Sequence, residues 1–176
     1  ARAPGNSSQP DIGPRHLLTL PLVAAGALGQ APPNDNCSGA IAITTFPSLT
    51  PGTNVNATFQ TITGQNCGTS ANNKDVWYSF IPTVGCIVTV GTCPPGSTTF
   101  DCVIGVFTGT CSSLVAVPGT CQTTSCAPGT SVSFAGTAGV RYLIKVRGTT
   151  NASGTFVLFL DCAAPPTWSC RPWIKS

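Results

Sequence analysis

Val140-Arg141-Tyr142-Leu143-Ile144-Lys145-Val146-Arg147 is the stretch whose reading decides the fold class. Val140, Tyr142, Ile144 and Val146 alternate with Arg141, Leu143, Lys145 and Arg147, which is the two-residue period of a strand with one core face and one largely basic face. Downstream, Phe156-Val157-Leu158-Phe159-Leu160 is apolar on both faces and predicts a strand that is central, covered or part of a subunit contact. Upstream, short runs sit between turn signals at Pro47 to Gly52, Pro94-Pro95-Gly96, Pro118-Gly119, Pro128-Gly129 and Gly136 to Gly139. The pattern predicts strands over 40–46, 56–63, 75–81, 86–92, 102–108, 113–117, 130–134, 140–147 and 154–160. Their spacing is that of an all-β, antiparallel β-sandwich.

Composition agrees with that reading and locates the protein. The 176 residues suffice for one domain with extensions. Met and Glu are absent while β-branched residues abound, which disfavours long helices. Only 7% of residues are charged, against roughly a quarter in ordinary soluble domains, so the surface is solvated by hydroxyls and amides or by attached sugars. The net charge of +3 is too small and scattered for a nucleic-acid partner.

Ten cysteines in so short a chain are sustainable only in an oxidising compartment, which predicts a secreted, extracellular or cell-surface protein. Paired C-x-x-C knuckles are missing, and the one histidine, His16, lies outside the cysteine-bearing region, so no metal site is expected. Five disulfides and no free thiol follow from the even count. Near-neighbour spacing suggests Cys93 with Cys102, Cys111 with Cys121 and Cys162 with Cys170, and elimination leaves Cys37 with Cys67 and Cys86 with Cys126. Loops of these lengths contribute roughly 2 to 3 kcal/mol each.

The chain divides into an N-terminal arm (1–31), a sandwich domain (32–160) and a disulfide-pinned tail (161–176) that carries Trp168 and Trp173. Residues 17–31 have two readings. Arg15 and His16 before a short apolar run, with Gly29-Gln30-Ala31 at its end, resemble a signal peptide. If the segment is kept, Leu18, Leu20, Leu22 and Ala24 share one face at strand spacing, and Pro21 would break a helix but is tolerated in an edge or added strand. The run is too short and too interrupted by Pro21 to span a membrane.

Catalytic motifs are scarce. No G-x-S-x-G occurs, and Lys74, Asp75 and Asp101 are expected in turn or salt-bridge duty, so no enzyme and no cofactor are predicted. In Asp75-Val76-Trp77-Tyr78-Ser79-Phe80, Trp77 offers a face on which a sugar ring could stack, against the plainer reading that it packs inside. Four Asn-x-Ser/Thr sequons begin at Asn6, Asn36, Asn56 and Asn151, with Asn56 and Asn151 the expected glycan carriers and Asn36 the least accessible.

The order of these landmarks resembles the secreted bacterial β-sandwich modules of the pre-peptidase C-terminal kind. The matching residues are Asn34 to Ala40, Asp75 to Phe80, Val88 to Cys93, Phe100-Asp101-Cys102, Val106 to Cys111, Cys121, Gly139 to Gly148 and Gly154-Thr155-Phe156. The resemblance implies a jelly-roll-like sandwich of eight or nine strands with a non-catalytic role in adhesion, surface attachment or spacing. Gln122-Thr123-Thr124 stands where members often have Asn-Asp-Asp, so no metal site carries over, and Cys102 in place of a frequent Thr implies an added local bridge.

The expected function is a non-enzymatic extracellular subunit that polymerises with copies of itself. Residues 17–24 would add as a donor strand to the next subunit through Leu18, Leu20 and Leu22. The other readings are a module that binds extracellular polysaccharide or adheres through Trp77 or the tail tryptophans, and an accessory domain of a longer enzyme.

Overall fold

The alternation at 140–147 does form a strand, and it runs through the middle of a sheet. The structure, a computed structural model, describes residues 29–65, 67, 74–93, 98–123 and 125–165. Its strands are β1 (Ile41–Ala42), β2 (Ser48–Thr53), β3 (Asp75–Phe80), β4 (Cys86–Gly91), β5 (Cys102–Thr110), β6 (Ser113–Ala116), β7 (Gln122–Thr123), β8 (Ser131–Gly136), β9 (Tyr142–Gly148) and β10 (Thr155–Ala163). One sheet has the order β1-β3-β9-β5-β6, with β7 also on β5, and the other the order β2-β10-β4-β8. Strands β2 to β5 alternate between the sheets, and β8 to β10 do so again. This winding is a jelly roll. The pairings are antiparallel except for the short β1, which runs parallel to β3.

The inward face of each strand supplies the core. Val76, Tyr78, Ile104, Val106, Ile144 and Val146 of one sheet meet Val88, Val90, Val132, Phe156, Leu158 and Leu160 of the other. Each such side chain contributes roughly 1.5 to 3 kcal/mol by leaving water. Rings stitch the sheets at both ends: Phe80 stacks on Tyr142 at 5.2 Å and Tyr142 meets Phe134 at 5.1 Å, while Tyr78 and Phe100 each set an edge against Phe156 at 6.2 Å.

Of the strand expected over 40–46 only Ile41–Ala42 forms, and two further stretches differ from the pattern expected of them. Residues 47–52, which look like a breaker, lie within or next to β2, where Pro51 pairs with Val157 at the edge of its sheet. An edge position leaves the missing proline donor without consequence. Gly52 is required there, because a Cβ would press into the Tyr78 hydroxyl and the Phe156 ring. Residues 56–63 form no strand beyond a single bridge at Thr63 to Ser113. They belong instead to a covering layer described below. At the other end β10 continues to Ala163, past the expected domain boundary at 160.

The disulfides also differ. Cys37 bonds Cys111, Cys67 bonds Cys121, Cys86 bonds Cys162 and Cys93 bonds Cys126, with sequence separations of 74, 54, 76 and 33. None of the near-neighbour pairings forms, because jelly-roll winding brings remote segments together: Cys93 and Cys102 adjoin strands of opposite sheets, and Cys111 and Cys121 are taken up by Cys37 and Cys67 of a covering layer. Loops this long contribute about 4 kcal/mol each by loop-closure entropy, more than the local bridges would. Cys102 carries a free thiol inside the core, where burial pushes its pKa up to about 11, so it behaves as a small apolar residue. That corrects the expectation of complete pairing; Cys170 lies outside the described residues.

Peptide mapping without reduction is expected to recover these four bridges. Cys102 is expected to resist a thiol reagent in the folded chain and to react once denaturant is added. Labelling of Cys102 at equal rates in both states would contradict its burial.

Candidate functional site

All six residues of β3 are buried, although a two-layer sandwich covers only one face of each sheet. The outer face of β3, β9 and β5 is closed by a third layer with little regular structure, comprising residues 32–40, 54–65 and Cys67. Cys37, Ile62, Cys67 and Leu114 pack there against Trp77, Val103, Phe107 and Leu143. Asn34 brackets the β3 edge: its carbonyl accepts the Trp77 N–H and its side-chain amide donates to the Trp77 carbonyl, both at 2.9 Å. Gln60 accepts the Cys37 N–H at 2.7 Å and Gln65 donates to the Gln60 carbonyl at 2.8 Å. Gly64 has a positive φ of 84°, and a Cβ there would collide with the Leu114 carbonyl. The bridges Cys37–Cys111 and Cys67–Cys121 fasten this cover to β5 and to the segment before β7.

The basic face of β9 therefore lies under a roof. Lys145 is 1% exposed, with its ammonium 5.9 Å from the Trp77 ring centre, 5.7 Å from that of Phe107 and 3.2 Å from Gln65 Oε1. Asp75 is fully buried, and neither of its carboxylate oxygens has a hydrogen-bond partner among the described residues. Burial pushes the Asp75 pKa up to about 6 against the opposing charge of Lys145, and pushes the Lys145 pKa down to about 8 against that of Asp75. Arg147 is lowered by burial as well.

The open side of the molecule is where β1 and β2 end their sheets. Between them lies an apolar groove of about 370 Å³ lined by Pro33, Ile41, Pro51, Gly52, Tyr78 and Thr155. Across β1 is a second depression of about 540 Å³, lined among others by Ala42, Ile43, Phe80, Ile81 and Arg141. Leu49 and Ile81 stand 64% and 51% exposed beside them. In each sheet this terminal strand is paired along one edge only. A groove of this kind, flanked by unpaired strand edges, can accept an extended apolar peptide.

The residues expected to carry function are scattered. Trp77 is fully buried between β9 and the cover, with its indole N–H unpartnered among the described residues, so it cannot stack on a sugar. Asn56 and Asn151 are exposed in turns with positive φ of 62° and 67°. Asn36, expected to be the least accessible sequon, is exposed too. Asp101 is exposed and Lys74 reaches Ser153 Oγ at 3.4 Å. Leu18, Leu20, Leu22, Trp168 and Trp173 lie outside the described residues. Sequence reasoning missed the β1–β2 groove and the buried Asp75–Lys145 pair. The second had a signal: Lys145 and Arg147 alternate in one apolar strand and Asp75 opens another.

No protein-family model matches this chain, and no curated protein matches it in sequence. Among the described residues no helix is long and apolar enough to cross a membrane, and no cluster of His, Cys, Asp or Glu could hold a metal ion.

Trp77→Ala is expected to destabilise the fold by about 3 to 5 kcal/mol, the range for deleting a buried large aromatic. Denaturant unfolding checks this, and a loss under 1 kcal/mol would contradict a load-carrying place for the ring.

Proposed function

We propose that this chain is the structural subunit of an extracellular homopolymer, in which residues 17–24 of one copy lie as an added strand in the groove beside β1 and β2 of the next. The observation that carries this reading is the apolar groove itself, flanked by strand edges with no further strand partner among the described residues. Leu18, Leu20 and Leu22 have the spacing to put three side chains into it. Each would contribute roughly 1.5 to 3 kcal/mol when buried, offset in part by ordering the arm. Pro21 falls on the other face, where an added strand can dispense with one donor. A head-to-tail contact of this type does not close on itself and generates a filament.

Four disulfides fit an exported subunit that must survive outside the cell. The charge-poor surface fits glycan on the exposed turns at Asn56 and Asn151. The resemblance to pre-peptidase C-terminal modules points to the same non-catalytic class. The polysaccharide-binding alternative loses Trp77 as a platform and is left with Trp168 and Trp173, which lie outside the described residues.

Replacing Leu18 and Leu20 by Asp is expected to leave a folded, disulfide-bonded monomer that no longer assembles, and Ile41→Asp in the groove is expected to do the same from the acceptor side. Electron microscopy and light scattering read the outcome. Assembly equal to the parent by either variant would exclude the donor-strand joint. Intact mass of native material is expected to fall by one glycan for each of Asn56→Gln and Asn151→Gln.

A further inference from the structure

The charges beneath the cover are unexplained by folding or by assembly. Asp75 and Lys145 occupy neighbouring antiparallel strands on the same face, diagonal to one another, because Trp77 is opposite Lys145 and Asp75 is opposite Arg147. Diagonal neighbours lie about 7 to 8 Å apart at most, a gap that a lysine side chain spans. Both residues are sealed from solvent, at 0% and 1% exposure. Arg147, the direct opposite of Asp75, turns its guanidinium elsewhere: Nε donates to the Cys67 carbonyl at 3.2 Å and Nη1 to the Gly148 carbonyl at 2.9 Å. Among charged groups, Lys145 acts most strongly on Asp75, and Asp75 most strongly on Lys145. Yet neither oxygen of the carboxylate makes a hydrogen bond of good geometry among the described residues, and the nearby backbone N–H groups of Gln60 and of Asp75 itself offset only part of the cost of burial. A buried ion pair is tolerable only when such oxygens are satisfied. A carboxyl left bare beside an amine calls for another account.

We propose that the Asp75 carboxyl and the Lys145 amine condense into an intramolecular isopeptide bond that joins β3 to β9 beneath the cover. Lys145 Nζ attacks Asp75 Cγ, a C–N bond forms and one C–O bond breaks. The hydroxyl departs with an amine proton as one molecule of water, leaving a neutral amide. No oxidant or reductant is consumed.

The reaction needs an uncharged acid and an uncharged amine, and burial favours both, narrowing the gap between their pKa values. The Trp77 and Phe107 rings flank the amine, and the stapled layer excludes the water that would reverse the step. Lys145 and Asp75 are not in ion-pair contact as placed; the diagonal register lets the lysine side chain swing from Gln65 onto the carboxyl, and an amine brought within about 3.5 Å of it reacts as if at very high concentration. The product removes two buried charges and satisfies the bare carboxyl. The bond would form in a monomer and a polymer alike, so its test is separate from that of assembly.

The full-length chain, reduced, freed of glycan and denatured, is expected to weigh one water less than its sequence. Proteolysis is expected to yield a branched peptide joining the Asp75 and Lys145 fragments. Asp75→Ala and Lys145→Arg are each expected to restore the mass of their own sequences. Should neither variant accumulate, the parent's mass and peptide map decide alone. Full sequence mass with the two fragments recovered separately would overturn the bond. So would a water lost within the Asp75 fragment alone, the mark of a succinimide.

Discussion

A β-sheet has two faces, and a sandwich buries only one of each, so the outer face of the β1-β3-β9-β5-β6 sheet needed a separate solution. That solution is the layer of residues 32–40, 54–65 and Cys67, and the rest of the molecule depends on its being held in place. With little strand or helix of its own, it lacks the ladder of main-chain bonds that holds a regular element. Two disulfides, Cys37–Cys111 and Cys67–Cys121, and the side chains of Asn34, Gln60 and Gln65 take over that task. Because the cover stays down, Trp77, Phe107 and Leu143 form a second small core on what would otherwise be a wet surface.

The fold was legible where the backbone period is the message. Strands β3, β4, β5, β6, β8, β9 and β10 stand close to where alternation and turn residues place them. The misread stretches share a cause. Pro51 and Gly52 look like a turn until one knows that β2 is an edge strand passing over Tyr78, and 56–63 looks like a strand until one sees that it crosses the outer face of a sheet and meets a strand edge only at Thr63. Disulfide connectivity was illegible for the same reason: Cys93 and Cys102 are close in sequence, yet one follows a strand of one sheet and the other opens a strand of the opposite sheet. The burial of Lys145 could not be read from β9 alone, since it is imposed by Gln65 and Cys67, far away in the chain.

The molecule is thus asymmetric. One side is closed by staples over a charged and aromatic interior, and the other is left open where β1 and β2 end their sheets above an apolar groove. Under the proposed assembly, load would pass through the cross-linked body and recognition would be confined to the groove beside β1 and β2. The same division explains why the described aromatic residues serve packing. Tyr78 with Phe156 and Tyr142 with Phe134 join the two sheets, Phe80 and Phe100 pack on these rings, and Trp77 joins sheet to cover.

The dependence of the sheet on its stapled cover is tested most directly by native-state hydrogen exchange in the parent and in a Cys67→Ser, Cys121→Ser variant. The Trp77 amide is the reporter, because it donates to the Asn34 carbonyl of the cover. Its protection is expected to fall first and furthest in the variant, followed by other amides of β3 and β9, while those of β4 and β10 remain the slowest to exchange. Unchanged protection at Trp77, or an equal loss across both sheets, would contradict the account.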